Sequence, residues 1–361
     1  MNIRSFIPLF AVSLTAFGCA ANTLDLDTPP TVEPSAEPGV LGIVHDAIVK
    51  IAVDDQRLYW VGSTTSGRDF VQSCEKQDCA SSIVTYDAQA SELPLLLSVT
   101  GGQLYWRRWT ELMACPIDGC NGSPRSVVKL FASTYGAFVD DDRFYFSEQT
   151  FFSDQTSQYS LLSVPLTGAG PRQLTASSPS FLYTMAVDDI YAYGLTGGER
   201  NYDRLFRTRK DGTSAVETIA KDVKHAGGAF SVTTDPTSIY WTNNVLAGSI
   251  NRCPLAGCSG ASEVVTGPLR APQHLLIDGS DLYYVYEAKA DEYALAVCAL
   301  PACAESLLLF EKLVNPDALA IDEQYLYLAT SEQAHSDFLG DFPGDFVSRI
   351  RRLPKPNREL P

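Results

Sequence analysis

The chain has 361 residues, 45% of them apolar, which allows a sizeable core and excludes wholesale disorder. Charged residues make up 19%, and 27 basic against 43 acidic side chains leave a net charge of −16. That balance argues against nucleic acid or an anionic membrane surface as partner, since nothing would offset phosphate repulsion. The length fits two ordinary domains or one large repetitive one.

The chain opens Met1-Asn-Ile-Arg-Ser-Phe-Ile-Pro-Leu-Phe, and Arg4 precedes an apolar run from Phe6 to Phe17 that is too short to span a bilayer as a helix. The run ends in Gly18, Cys19 and Ala20. This segment resembles a bacterial lipoprotein signal peptide, which implies that residues 1–18 are removed and Cys19 is lipidated. It departs from that pattern at Ala16, where Leu is preferred. Simple secretion with Cys19 removed is the alternative.

Residues 19–39 follow as a tether, with Pro29, Pro30, Pro34 and Pro38 among Thr, Ser, Asp and Glu. Such a stretch cannot bury enough surface to offset its ordering entropy, so a solvated spacer spanning roughly 25 Å is expected. Acyl chains on Cys19 would then anchor the domain to a membrane of the bacterial envelope, the outer membrane being favoured, facing periplasm or cell surface.

From residue 40 to 361 one pattern recurs. Ile51-Ala-Val-Asp-Asp-Gln-Arg-Leu-Tyr-Trp60 is echoed by Phe138-Val-Asp-Asp-Asp-Arg-Phe-Tyr-Phe146 and Leu319-Ala-Ile-Asp-Glu-Gln-Tyr-Leu-Tyr-Leu328. Aligned on Tyr59, Tyr105, Tyr145, Tyr191, Tyr240, Tyr283 and Tyr327, the copies are spaced by 46, 40, 46, 49, 43 and 44 residues. A period near 44 that holds several short strands is a β-propeller blade. The expectation is an all-β fold of seven four-stranded blades. The last repeat lacks a fourth strand, so Val40-Leu-Gly-Ile-Val44 is expected to complete it and close the ring. The acidic residues that follow each apolar strand, such as Asp54-Asp55 and Asp188-Asp189, are read as turn residues and not as a calcium ring.

Eight of the nine cysteines form four pairs with four residues between: Cys74 and Cys79, Cys115 and Cys120, Cys253 and Cys258, Cys298 and Cys303. Blades without them carry the same turn, as Val164-Pro-Leu-Thr-Gly168 shows, so optional disulfide staples are expected. Zinc held by two pairs is the competing reading.

Ile239-Tyr-Trp-Thr-Asn-Asn-Val-Leu-Ala-Gly-Ser-Ile-Asn-Arg-Cys-Pro-Leu-Ala-Gly257 resembles the YWTD repeat of low-density-lipoprotein-receptor propellers, with Asn243 in place of the family's Asp. The resemblance implies a propeller that binds macromolecules on one face. Its family has six blades, against the seven repeats counted here.

Trp109, Phe151, Phe152, Tyr202, Tyr286 and Phe338 fall in second-to-third-strand loops, where no packing rule requires large aromatics. They form the candidate binding face, the alternative being that they fold back over neighbouring blades. Asp337, Asp341 and Asp345 alternate with phenylalanines and could wrap calcium, but the spacing is not that of a known calcium loop, and a solvated acidic loop is expected. His45 and His225 precede their blades' first Asp by nine and ten residues and could meet at the central channel. No nucleophile motif, phosphate-cradling loop or dinucleotide fingerprint occurs. The function expected is therefore a monomeric binding or scaffold module for a protein or glycan of the envelope, without metal or cofactor. A lyase- or hydrolase-like envelope enzyme with its site in the channel is the alternative.

Overall fold

The computed structural model describes residues 30–356, except 65–66, 91–95, 109, 131–136, 152–156, 169–172, 179–181, 197–201, 225–230, 259–260 and 334–345. The strands form seven antiparallel sheets arranged as the blades of a β-propeller. Blade A runs from its inner strand Ala47–Val53 through Arg57–Ser63 and Asp69–Glu75 to the outer strand Val84–Ala90. Blades B to F repeat that order over residues 97–129, 137–178, 182–224, 232–269 and 273–313.

Blade G takes Pro316–Ile321, Tyr325–Gln333 and Phe346–Pro354 from the C-terminus and Val40–Val44 from the N-terminus, so the ring closes as expected. Val44 pairs with Ser348 and Ile43 with Arg349. The buried Ser348 hydroxyl locks the join, accepting from the Ile48 amide at 3.0 Å and donating to the Asp46 carbonyl at 2.7 Å.

A fifth strand, Val32–Glu33, pairs on the outside of Val40–Val44, within the stretch expected as a solvated spacer. Val32 is buried at the seam between blades G and A, and Gly42 makes the room: a Cβ there would lie 2.4 Å from Val32 Cγ1. The strap is pinned by Gln72 Nε2 donating to the Pro30 carbonyl at 2.9 Å and by Glu37 against Arg351 at 2.6 Å. One apolar residue with a fitted socket thus ties down a segment whose composition alone reads as solvated.

Strand side chains alternate between the two faces of a blade, and each face meets a neighbouring blade. Leu58 and Trp60 pack toward blade G, while Tyr59 and Val61 pack toward blade B. The buried apolar residues accordingly fall into seven clusters among the described residues, one at each seam. The repeated tyrosine always faces the following blade. In blade D that residue is Tyr193, at the seam with blade E, and not Tyr191.

All four cysteine pairs are disulfides, with Cα–Cα distances of 4.7 to 5.6 Å. The first cysteine is the last but one residue of a third strand, and the second lies in the turn ahead of the outer strand instead of facing it across the hairpin. Each disulfide packs into the seam with the preceding blade.

Candidate functional site

In blades A, C, D, E and G the turn after the inner strand is built on one carboxylate, whereas blade B has Thr100 there, followed by two glycines. Asp54 Oδ1 accepts from the amides of Gln56 and Arg57 at 2.8 and 2.7 Å, while Oδ2 accepts from Tyr59 Oη at 2.6 Å. Asp188 does the same for Ile190, Tyr191 and Tyr193. Asp235 serves Thr237, Ser238 and Tyr240, and Asp322 serves Gln324, Tyr325 and Tyr327. The acidic turns are therefore structural. An aspartate two residues ahead of its bonded amide and five ahead of its tyrosine also explains the correction from Tyr191 to Tyr193.

The turn after the third strand docks onto this one. In every blade one of its amides donates to the carbonyl two residues beyond the first-turn position: Lys76, Ile117, Leu166, Lys210, Leu255, Leu300 and Lys355 occupy that place in blades A to G. The seven residues are structurally equivalent, and they are of two kinds. Lys76 reaches back to Asp322 Oδ2 of blade G at 2.7 Å and to the Asp54 carbonyl of its own blade at 2.7 Å. Lys210 repeats this with Asp140 of blade C at 2.7 Å and the Asp188 carbonyl at 3.0 Å. Lys355 bonds Asp278 of blade F. The other four blades carry leucine or isoleucine.

Two clefts open on this face at equivalent seams. The one between blades G and A, about 440 Å³, is lined by Tyr325, Arg352, Lys76, Asp322 and Glu323 among others. Between blades D and E a larger cleft of about 730 Å³ is lined by Tyr191, Arg207, Asp188, Asp235, Leu255 and neighbours. Each has a guanidinium stacked on a tyrosine ring, Arg352 on Tyr325 at 4.8 Å and Arg207 on Tyr191 at 4.5 Å. In both, that arginine crosses to a carbonyl of the next blade: Arg352 Nη1 to Lys76 O at 3.0 Å, and Arg207 Nη1 to Leu255 O. Burial opposes ionisation of Asp322, but hydrogen bonds from Lys76, Gln324, Tyr327 and Tyr325 outweigh it and hold the carboxyl down at about 2.

The inner strands bring together a different group. Lys50 of blade A, His274 of blade F and Asp317 of blade G lie on three consecutive inner strands, near enough for Lys50 to act electrostatically on both others. Burial lowers the His274 pKa to about 4, helped by the Lys50 charge, and its ring hydrogen-bonds to the Pro316 carbonyl. Burial raises Asp317 to about 6 despite hydrogen bonds from Ser331 and the charge of Lys50.

A folded-state pKa above that of the unfolded chain means that ionised Asp317 costs stability above pH 6, and that the cost vanishes below about pH 4. Asp317→Asn keeps an acceptor for Ser331 and should stabilise the protein by about 2–3 kcal/mol at pH 7.5, with no gain at pH 3.5. Urea unfolding at the two pH values measures this, and an equal effect at both would show that Asp317 titrates normally.

Of the expected binding-face residues, Trp109, Phe152 and Phe338 lie outside the described residues, as do Asp337, Asp341, Asp345 and His225. Phe151 ends the strand Arg143–Phe151, and Tyr202 begins Tyr202–Arg209. Tyr286 is half-buried, with its ring 5.9 Å from Tyr284. His45 sits beside Glu33 of the outermost strand, 3.2 Å from its carboxylate. Among the described residues no group of three or more His, Cys, Asp or Glu could hold a metal ion.

No protein-family model matches the chain, and no curated protein matches it in sequence. Solved structures match the fold. The β-propeller domain of the Trilobed protease from Pyrococcus furiosus superposes with a TM-score of 0.58 at 6% identity, over 88% of this chain and 100% of that one. Virginiamycin B lyase from Staphylococcus aureus gives 0.55 at 10% identity, over 85% and 95%. A Mycobacterium tuberculosis puromycin-hydrolyzing peptidase gives 0.60 at 14% identity, over 92% of this chain, which spans only 56% of the peptidase. At such identities the likeness establishes a β-propeller and nothing finer.

Proposed function

We propose that this chain is an exported binding module, lipid-anchored through Cys19 to a membrane of the bacterial cell envelope and holding a protein or glycan ligand on the face where its turns meet. The observation that supports this reading most is the D–E cleft. It is an open cavity of about 730 Å³ with tyrosine, isoleucine, proline and leucine in its walls and carboxylates at its rim. Ile190 in that wall is 50% exposed, which leaves apolar surface for a ligand to cover.

Affinity capture from envelope extract tests the role. The full chain, a Tyr191→Ala/Tyr325→Ala variant and a Trp109→Ala/Tyr286→Ala variant serve as baits. A ligand kept by the last and at least tenfold depleted on the Tyr191/Tyr325 variant supports the cleft face. Depletion on the Trp109/Tyr286 variant alone moves the site to the connections between second and third strands, and no specific ligand on any bait counts against a binding module.

A second reading is an envelope enzyme with its site in the central channel, lyase- or hydrolase-like. The cluster of Lys50, His274 and Asp317 supports it, because a carboxylate kept at a cost in stability is a mark of functional sites. The likeness in fold to a lyase adds only an analogy.

A further inference from the structure

The equivalent positions at the seams indicate what the D–E cleft takes. Where blades G and A meet, the ammonium of Lys76 lies between the Asp322 carboxylate and the Asp54 carbonyl, 5.9 Å from the centre of the Tyr327 ring. Where blades C and D meet, Lys210 lies between the Asp140 carboxylate and the Asp188 carbonyl, 5.5 Å from the Tyr145 ring. Both seams thus contain an ammonium receptor made of a carboxylate oxygen, a backbone carbonyl and a tyrosine face, filled by the chain's own lysine.

The seam between blades D and E carries the same parts. Asp188 is the carboxylate, already bonded to Tyr193 as Asp322 is to Tyr327. Tyr193 is the buried ring, and the carbonyl of Asp235 is the counterpart of those of Asp54 and Asp188. The lysine is missing. Its place is held by Leu255, whose amide bonds the Thr237 carbonyl at 2.8 Å, the counterpart of the bonds that Lys76 and Lys210 make at 3.0 and 2.9 Å. Beside Leu255 the seam opens into the cleft.

We propose that the D–E cleft is a receptor for a lysine side chain presented by a protein partner. The ammonium would sit between Asp188 Oδ2 and the Asp235 carbonyl, in the place that Lys76 and Lys210 fill elsewhere. The methylene stem would lie along Ile190, Pro236 and Leu255. The lining fits both ends of that side chain, an apolar wall for the stem and carboxylates for the head. Arg207 does not oppose the incoming charge, because Glu217 pairs with it at 2.7 Å. Asp235 stays ionised: burial opposes this, but hydrogen bonds from Tyr240, Thr237 and Ser238 hold its pKa below the ordinary value. A lysine fits better than an arginine, since the internal examples hold a point charge between two single acceptors and not a bidentate fork.

This inference rests on the binding role proposed for this face, and its test is kept separate from ligand capture. The probe is n-butylamine, the lysine side chain without its backbone, titrated into the full-length isotope-labelled chain at pH 7 and followed by amide chemical shifts. The expected result is saturable shifts confined to Asp188, Tyr191, Asp235 and Leu255. Leu255→Lys, which supplies the missing ammonium from within, should weaken probe binding at least tenfold. Asp188→Asn, which keeps an acceptor for the turn amides, should weaken it at least threefold, and 1-butanol should produce no such shifts. Equal butylamine binding by Leu255→Lys, or shifts spread over the acidic surface, would overturn the proposal. So would binding of glucosamine but not butylamine, which would put an amino sugar there. A ligand captured through Tyr191 and Tyr325 with no butylamine site would leave the binding module standing and remove the lysine.

Discussion

Full reduction of the four disulfides should lower the thermal midpoint by on the order of 10 °C or more. Each bond closes a loop of six residues, and loop-closure entropy gives about 2 kcal/mol for a ring of that size. The bonds lie at four different seams, and no residue belongs to two of the four clusters, so the contributions should add to about 8 kcal/mol. Melting with and without a phosphine reductant measures the drop, and a chelator serves as the control. A midpoint that falls with chelator and not with reductant would mean thiolates on a metal. The first cysteine of each pair is fully buried. Reduction therefore leaves two thiols in a packed seam and mainly frees the unfolded chain, so the loss should show in equilibrium stability more than in spectra of the native state.

Asp87→Ala should cost about 3–5 kcal/mol. Asp87 stands on the outer strand of blade A, is only 3% exposed, and serves two partners of blade B at once. Its Oδ2 accepts from Trp106 Nε1 at 2.9 Å and from Arg108 Nε at 2.8 Å, and its Oδ1 accepts from Arg108 Nη2 at 2.8 Å. Truncation strands a buried indole N–H and a partly buried guanidinium together, and the cost of leaving them unpaired exceeds the worth of the pair itself. Urea unfolding of Asp87→Ala and of Asp87→Ala/Trp106→Phe gives the size and the partition. The double variant should recover about 1 kcal/mol by removing the stranded donor. A loss below 1 kcal/mol in the single variant would mean that water reaches the seam.

The ring and its closure were legible because their signals are local or repeated. The Leu-Tyr-Trp strand recurs about every 44 residues, an aspartate turn precedes most copies by a constant interval, and the missing last strand leaves Val40–Val44 as the candidate to fill it. The register of blade D is ambiguous in the sequence for a local reason: Tyr191-Ala-Tyr193 offers two tyrosines, and only the distance from Asp188 decides between them. The ammonium sites were not legible at all. Lys76 and its carboxylate partner are 246 residues apart, and no spacing within one repeat reveals that the third-strand turn of one blade meets the first-strand turn of the blade before it. Val32 carries no sequence signal either, since a single apolar residue among prolines gives no period.

That strap has a mechanical side. Any pull on the chain ahead of Pro30 is borne first by the Gln72 bond to Pro30 and by Val32–Glu33, a pair of residues held to Val40–Val44, and only afterwards by the closing strand itself. The two-residue pairing can peel away while the ring stays shut, releasing the ten residues from 30 to 39 and paying out up to about 35 Å of slack before load reaches the Ser348 lock. The strap is thus a fuse in series with the join. Stretching from that end should show a small early extension at low force, well separated from the opening of the propeller.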